Sequence, residues 1–214
     1  METFFQTTIW ALIRDARERR GPSLDGLVRR YWEPIRRFVE RRGFTPQDAE
    51  DVAQEVLAEV CREDFLQKAD ASKGRFRSLL LAVTRHVMNA RRRAASTLKR
   101  GGGARAVPLE QDPATPEERA DYDKLWAAHI MRASLDRLRE LNAQFAQAIE
   151  LHYFQDVPYR DIAERLGRAE HDVKNFIFQG KKRLKECLQE YIREYCSSPE
   201  EYAEELDELS RYLP

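Results

Sequence analysis

Apolar residues recur along most of the chain at intervals of three and four positions, the spacing of one face of an α-helix. No stretch shows the alternation of apolar and polar residues that is typical of a half-buried strand. The pattern therefore predicts an all-α protein. The predicted helices lie at about 3–20, 23–42, 46–63, 74–97, 119–139, 141–155, 158–166 and 170–195.

The helical pattern is weakest over residues 98–118, LKRGGGARAVPLEQDPATPEE. Three consecutive glycines, three prolines and the lack of a hydrophobic period are typical of a linker. We therefore expect two small helical domains, over 1–97 and 119–196, joined by a flexible linker at 98–118. Residues 197–214 carry six acids against one arginine, and we treat them as an acidic C-terminal extension.

Charge is sorted along the chain, although the total is balanced at 37 basic and 37 acidic residues. Residues 1–105 hold 22 basic and 14 acidic side chains, and residues 106–214 hold 15 and 23. Within the basic half, the stretch 71–109 carries ten Lys or Arg residues and no acid. Such clustering is expected of a surface that faces a phosphate backbone. Because residues 76–90 are also apolar at helical spacing, we expect a structured basic surface.

An acidic helix is predicted at 46–60, where a capping threonine, a proline and an aspartate form a strong helix start. Four polar side chains lie close together, off its apolar stripe: Asp51, Gln54, Glu55 and Glu59. Such a face is either a solvated surface or a docking surface for a basic partner. The spacing alone does not decide between the two.

The predicted helix at 74–93, GRFRSLLLAVTRHVMNARRR, combines an apolar seam with basic side chains. Arginine binds phosphates, and Asn and His can hydrogen-bond to base edges. Phe76 lies between two arginines where a loop becomes helix, and it could stack on an unpaired base. The alternative places Phe76 in the core and makes the arginines a solubility face. We favour nucleic-acid contact, with these candidate residues: Arg75, Phe76, Arg77, Arg85, His86, Asn89, Arg92 and Arg93.

The segment 158–185 has the pattern of a helix-turn-helix. Gly167 ends the first helix, where a C-cap position prefers glycine. The exposed early positions of the second helix are those from which a recognition helix reaches the major groove. The candidate DNA-binding residues are Arg168, Glu170, His171, Lys174, Asn175, Lys181 and Lys182. An ordinary helical hairpin with a capping glycine is the alternative, and Phe178, at the edge of the apolar stripe, has no firm account.

Other classes of function find little support in the sequence. The three cysteines and four histidines lack ligand spacing, so we expect no metal site, disulfide framework or cofactor. Clustered carboxylates, a reactive nucleophile or a metal triad would indicate an enzyme on nucleic acid, and none appears. No apolar run approaches the roughly 20 residues that span a bilayer. Because residues 1–20 also lack a signal-peptide layout, we expect a soluble, cytoplasmic protein.

In this order, the three segments resemble a bacterial sigma factor of the extracytoplasmic-function type, over roughly residues 22–190. DAEDVAQEVLAEV is similar to the family's core-polymerase-binding helix, and GRFRSLLLAVTRHVMNARRR resembles the segment that melts and reads the −10 promoter element. AIELHYFQDVPYRDIAERLGRAEHDVKNFIFQGKKRLKE resembles the domain that reads the −35 element. His86 stands where many members have Asn, so specificity at −10 is not carried over.

The resemblance implies a transcription initiation factor without catalysis of its own. Its implied partners are promoter DNA and core RNA polymerase, whose clamp coiled coil would meet the acidic face of 46–60. An anti-sigma factor or other regulator is a further candidate partner. By the same resemblance, the linker would thread the active cleft and RNA exit path of the polymerase. The alternative is a stand-alone helix-turn-helix regulator that binds operators as a dimer, which leaves the acidic and basic helices without a role.

The acidic extension carries one further hypothesis. Tyr202, Leu206, Leu209 and Leu213 fall on one helical face, and the other faces are acidic. Such a helix either masks a basic DNA-binding surface or merely packs on the C-terminal domain.

Overall fold

The computed structural model describes residues 21–62, 76–100, 114–194, 196 and 198–212. The predicted helix at 3–20, most of the predicted linker, and Arg75 lie outside the described residues. All regular structure within the described ranges is helical, so the prediction of an all-α fold is confirmed. None of the described helices is long and apolar enough to cross a membrane.

The helical bounds agree with the predicted ones to within a few residues in most cases. In chain order the helices are α1 (Gly21–Arg41), α2 (Pro46–Val60), α3 (Phe76–Arg100), α4 (Pro116–Leu141), α5 (Ala143–Ile149), a π-helix (Glu150–Phe154), α6 (Tyr159–Leu166), α7 (Glu170–Arg193) and α8 (Pro199–Ser210). The helix predicted at 141–155 begins at Ala143, because Asn142 caps α5 and accepts a hydrogen bond from the Phe145 amide at 3.1 Å, and its last five residues form the π-helix.

The chain divides into two compact units, one ending at Trp126 and the other beginning at Ala127. The first part of α4 therefore belongs to the N-terminal unit, and its remainder belongs to the C-terminal unit. This division differs from the boundary at 118/119 that the sequence suggests. A glycine-rich stretch marks where the helical pattern breaks, but it does not indicate on which domain the next helix packs.

α4 begins inside the segment that we predicted as linker. The Thr115 hydroxyl accepts a hydrogen bond from the Glu118 amide at 3.3 Å, and the Thr115 amide donates to the Glu118 carboxylate at 3.0 Å. This reciprocal pair is a capping box, and Pro116 occupies the adjoining first helical position. Because α3 also continues to Arg100, the predicted linker is shortened at both ends.

Aromatic rings form the centre of the N-terminal unit. The Trp126 ring stacks on Tyr31, with centroids 4.9 Å apart and planes inclined by 6°. Phe76 meets Tyr31 edge-on at 5.3 Å, and Tyr122 meets Phe38 edge-on at 5.4 Å. All five side chains are buried, and such arrangements stabilise beyond the area they bury. The first part of α4 therefore completes the core of this unit.

α2 turns its apolar stripe inward and leaves its acidic side accessible. The helix starts as predicted, because the Thr45 hydroxyl accepts a hydrogen bond from the Asp48 amide at 3.2 Å, with Pro46 in the first turn. The buried stripe consists of Ala49, Val52, Ala53, Val56, Leu57 and Val60. Because this stripe is buried, only side chains on the other faces of α2 are accessible from outside the unit.

The helix-turn-helix of the C-terminal unit is formed by α6, the turn at Gly167 and α7. Gly167 adopts a left-handed backbone with φ of +61°, as a C-cap glycine does. Its amide donates to the Glu164 carbonyl at 3.3 Å, and the Arg168 amide donates to the Ala163 carbonyl at 2.9 Å. The helices bury the faces that the sequence predicts, with Ile162 on α6 and Val173 on α7 fully enclosed.

Replacing Gly167 with alanine should lower the free energy of unfolding by about 1 kcal/mol, because a Cβ disfavours the left-handed backbone. Steric crowding adds nothing, since an added Cβ would meet no atom within 4 Å. Urea unfolding of the full chain, followed by circular dichroism, measures the shift in midpoint. Glu164→Ala, at an exposed position of α6, is the control. An equal midpoint in the two variants would contradict the prediction.

The acidic extension forms α8, which packs on α7. Leu209 and Glu205 are buried, and the Arg193 guanidinium lies 5.1 Å from the centroid of the Tyr202 ring. This arrangement matches the packing alternative for the extension. Leu213 lies outside the described residues.

Candidate functional site

The acidic face of α2 is accessible and is partly engaged by one arginine of α3. The Asp51 and Glu55 side chains are 47% and 49% exposed, and Gln54 is exposed as well. Arg91 lies 2.9 Å from a Glu55 carboxylate oxygen and 4.0 Å from one of Asp51. Glu59 is half-buried one turn further along the helix. The structure thus brings the four predicted residues together on one face of α2.

Arg91 is a functional candidate that the sequence reasoning missed. Its contact to Glu55 spans 36 positions along the chain, so no local pattern indicates it. Exposed ion pairs of this kind contribute about 0–1 kcal/mol. The Arg91–Glu55 pair therefore adds little to the stability of the free chain.

The candidate DNA-binding residues of α3 divide into a buried and an accessible group. Phe76, Arg77 and Arg85 are only 3%, 6% and 9% exposed. Phe76 lies in the aromatic core, so the core alternative is correct for this residue, and its expected stacking on a base is not compatible with this arrangement. The accessible group consists of His86, Asn89 and Arg93, which are half-buried, and Arg92, which is exposed.

The two buried arginines of α3 are paired with carboxylates of α4. Arg77 Nε lies 3.1 Å from a carboxylate oxygen of Asp123. Arg85 Nε lies 2.8 Å from the Glu118 carboxylate that also closes the capping box. Burial of these charges is tolerated because each has an anionic partner. Within the described part of the acid-free stretch, Arg77 and Arg85 are therefore covered, and the open basic surface is limited to the later part of α3.

Arg42 extends this set of charges, and no sequence pattern indicates its role. Its Nη1 lies 3.2 Å from a carboxylate oxygen of Asp121, and its guanidinium lies 4.6 Å from the centroid of the Phe38 ring. Its carbonyl accepts a hydrogen bond from Arg92 Nη2 at 2.7 Å. Arg42 thus contacts both the start of α4 and the accessible end of the basic helix.

The candidate residues of the helix-turn-helix are all exposed. They are Arg168, Glu170, His171, Lys174, Asn175, Lys181 and Lys182. The Arg168 guanidinium lies 3.7 Å from the centroid of the Phe176 ring and donates to the Gln144 side chain at 3.2 Å. These contacts fix an arginine beside the turn, next to the start of α7. Phe178, which the sequence placed at the edge of the apolar stripe, is 68% exposed and lies outside the core.

The cysteines do not add a second chemical site to the described structure. Cys61, Cys187 and Cys196 form no disulfide among the described residues. Burial raises the pKa of the Cys61 and Cys187 thiols, which disfavours the reactive thiolate. Within the described ranges, no three His, Cys, Asp or Glu side chains gather where they could hold a metal ion.

The described structure defines an all-helical protein with a helix-turn-helix unit preceded by a unit that carries a basic helix and an acidic helix. Residues 27–97 match sigma-70 region 2, and residues 132–184 match sigma-70 region 4. The ECF RNA polymerase sigma factor SigE of Mycolicibacterium smegmatis is 25% identical over 179 residues, which are 83% of this chain and 66% of the relative. No solved structure matches the chain. The two matched regions show that the chain belongs to the sigma-70 family, and the relative is named as a factor of the extracytoplasmic-function (ECF) type.

The chain thus spans just under two thirds of the length of that relative. The region 2 match covers most of α1 and all of α2, and it ends within α3. The region 4 match begins within α4 and ends within α7. Residues 98–131, which include the first part of α4, lie between the two matched regions.

Proposed function

We propose that this protein binds core RNA polymerase, directs it to promoters and opens them, with no catalysis of its own. The observation that carries the proposal is the presence in one chain of sigma-70 region 2 and sigma-70 region 4. Each region has an exposed face suited to its role. In region 2 this is the acidic face of α2, and in region 4 it is the early part of α7. A stand-alone regulator would need only the second of these faces.

Core polymerase is bound through the acidic face of α2, where Asp51, Gln54 and Glu55 meet a basic surface such as the clamp coiled coil. Glu59 extends the contact by one turn. Charge complementarity of this kind speeds association and fixes the register of the two surfaces. Arg91 offsets part of the negative charge of this face in the free chain and is exchanged for a cation of the partner.

The −10 element is bound by the accessible end of α3. Arg92 and Arg93 contact phosphates, and His86 and Asn89 are placed to hydrogen-bond with bases. The −35 element is bound by α7, whose exposed early positions enter the major groove. Tethering both contacts to one polymerase raises the effective concentration of each, so neither needs high affinity alone.

The proposal is tested with core polymerase and a library of random DNA duplexes. Together with this chain, the polymerase should select duplexes that share two separated sequence blocks. Omission of the core should abolish the selection, and omission of the chain should leave no shared sequence. Selection of a palindromic site by the chain alone would support the stand-alone regulator and overturn the proposal.

Lys174→Ala should weaken binding of the polymerase complex to a selected promoter by about tenfold at low salt, with the salt slope reduced by about 1. The reason is that Lys174 is exposed on the early part of α7, where a phosphate of the groove wall would lie. Fluorescence anisotropy over a series of salt concentrations measures both effects. Lys185→Ala, at an exposed position further along α7, is the matched control. Equal effects of the two changes would contradict the proposed orientation of α7.

A further inference from the structure

The first part of α4, residues 116–126, crosses the arginine-bearing side of the N-terminal unit, and we call it the acidic strap. Its carboxylates meet three arginines from two separate elements. Glu118 pairs with Arg85, at 2.8 Å between Oε2 and Nε. Asp123 Oδ1 lies 3.1 Å from Arg77 Nε, and Asp121 Oδ2 lies 3.2 Å from Arg42 Nη1. The strap therefore supplies anions at successive arginines, as a strand of phosphates does.

Two of the arginines are buried beneath this contact. The Arg77 and Arg85 side chains are 7% and 10% exposed, so DNA cannot reach their guanidinium groups while the strap lies in place. Both belong to the helix whose accessible end we assign to the −10 element. The closed strap thus removes two cations from the DNA-binding charge of α3.

Apolar contacts also hold the strap in place. One polar group among them, a tyrosine hydroxyl, lacks a hydrogen-bond partner within the described structure. Trp126 and Tyr122 insert into the aromatic core. The Tyr122 hydroxyl is buried there and has no hydrogen-bond partner within the described structure. Opening of the strap would return this hydroxyl to water, which offsets part of the lost packing.

The position of the strap in the chain separates it from both DNA-binding regions. It lies after the region 2 match, which ends at residue 97, and before the region 4 match, which begins at residue 132. The strap is therefore a part of the N-terminal unit that lies outside both matched regions.

We propose that the acidic strap is an autoinhibitory contact that occupies Arg42, Arg77 and Arg85 in the free chain and is displaced when the chain binds core polymerase. The proposal rests on the proposed function and adds its regulation. The free chain binds DNA weakly because its own carboxylates replace the phosphates. Polymerase binding opens the strap, and the released arginines contact the melted strand.

The test removes charge from the strap while keeping its helix. In Glu118→Gln the capping box is retained, because glutamine also serves at that position. Combined with Asp123→Asn, this change takes a carboxylate from both Arg85 and Arg77 and weakens the closed state. Glu117→Gln is the matched control, since Glu117 is the exposed neighbour in the same turn.

The probe is a fluorescein-labelled single-stranded DNA of random sequence, mixed with the full chain without polymerase. We expect the double variant to bind about tenfold more tightly than the wild type, with a salt slope steeper by about 0.7 per released arginine. The control should bind like the wild type. Equal affinity of the double variant and the control, with both folded by circular dichroism, would overturn the proposal.

Hydrogen exchange of the wild-type chain gives a second readout that does not depend on the variants. On addition of core polymerase, amides of residues 116–126 should exchange faster. Unchanged or slower exchange in a complex that forms would overturn the autoinhibitory role. If that complex still selects promoters, the proposed function stands without the autoinhibitory role. Failure of the chain to bind core polymerase at all would instead contradict the proposed function itself.

Discussion

Trp126→Ala is expected to lower the free energy of unfolding of the N-terminal unit by about 3–5 kcal/mol. The indole is completely buried and stacks on Tyr31, so its removal leaves a cavity at the centre of the aromatic core. Urea unfolding of the full chain, followed by circular dichroism, should show an early transition for the weakened unit. The expected loss is large because the residue joins α4 to a core that the region 2 helices otherwise form.

Trp32→Ala is the matched control for this prediction. Trp32 lies on the same helix as Tyr31 but is only half-buried, so its loss should cost about 1 kcal/mol. Similar losses for the two variants would mean that the first part of α4 does not belong to the core of the N-terminal unit. The acidic strap would then lack its apolar attachment.

Glu55→Lys is expected to weaken binding to core polymerase by about 2 kcal/mol, roughly thirtyfold, because it places a cation against a basic partner surface. The fold should tolerate the change, since the side chain is 49% exposed. Affinity is measured by titrating labelled chain with core polymerase.

Glu190→Lys controls for the change in net charge at an exposed position of α7. It should leave core affinity within about a factor of two of the wild type, as expected for a charge far from the contact. Equal loss in both variants would show that overall charge, and not the acidic face of α2, governs the association.

Local sequence patterns predicted several of the features on which both proposals rest. Helix positions followed from apolar spacing, and the turn at Gly167 followed from the backbone freedom that a C-cap requires. The exposed faces of α2 and α7 also followed, because a side chain off the apolar stripe of a surface helix points to solvent. These features depend on residues within a few turns of one another.

The environment of α3 could not be predicted in this way. Net charge indicated a surface that binds phosphates, but Arg77 and Arg85 are satisfied by carboxylates that lie far away along the chain. One local signal does mark the start of α4, because Thr115 and Glu118 have the spacing of a capping box. It would have placed the start of α4 inside the predicted linker, although not against the N-terminal unit.

The division between accessible and covered cations changes the interpretation of the basic stretch. A fully open basic helix would bind nucleic acid of any sequence at low salt. A helix with its arginines covered in the free chain would engage DNA chiefly after delivery by the polymerase. The acidic strap therefore offers a physical reason for limiting unproductive binding.

The most direct test of the proposed function is transcription from a selected promoter with core polymerase and linear template. We expect a transcript with one defined start when the wild-type chain is present, and none from core polymerase alone. Glu55→Lys should reduce the transcript in proportion to its lost core affinity. A chain that binds the template but yields no transcript with core polymerase at any concentration would contradict the account.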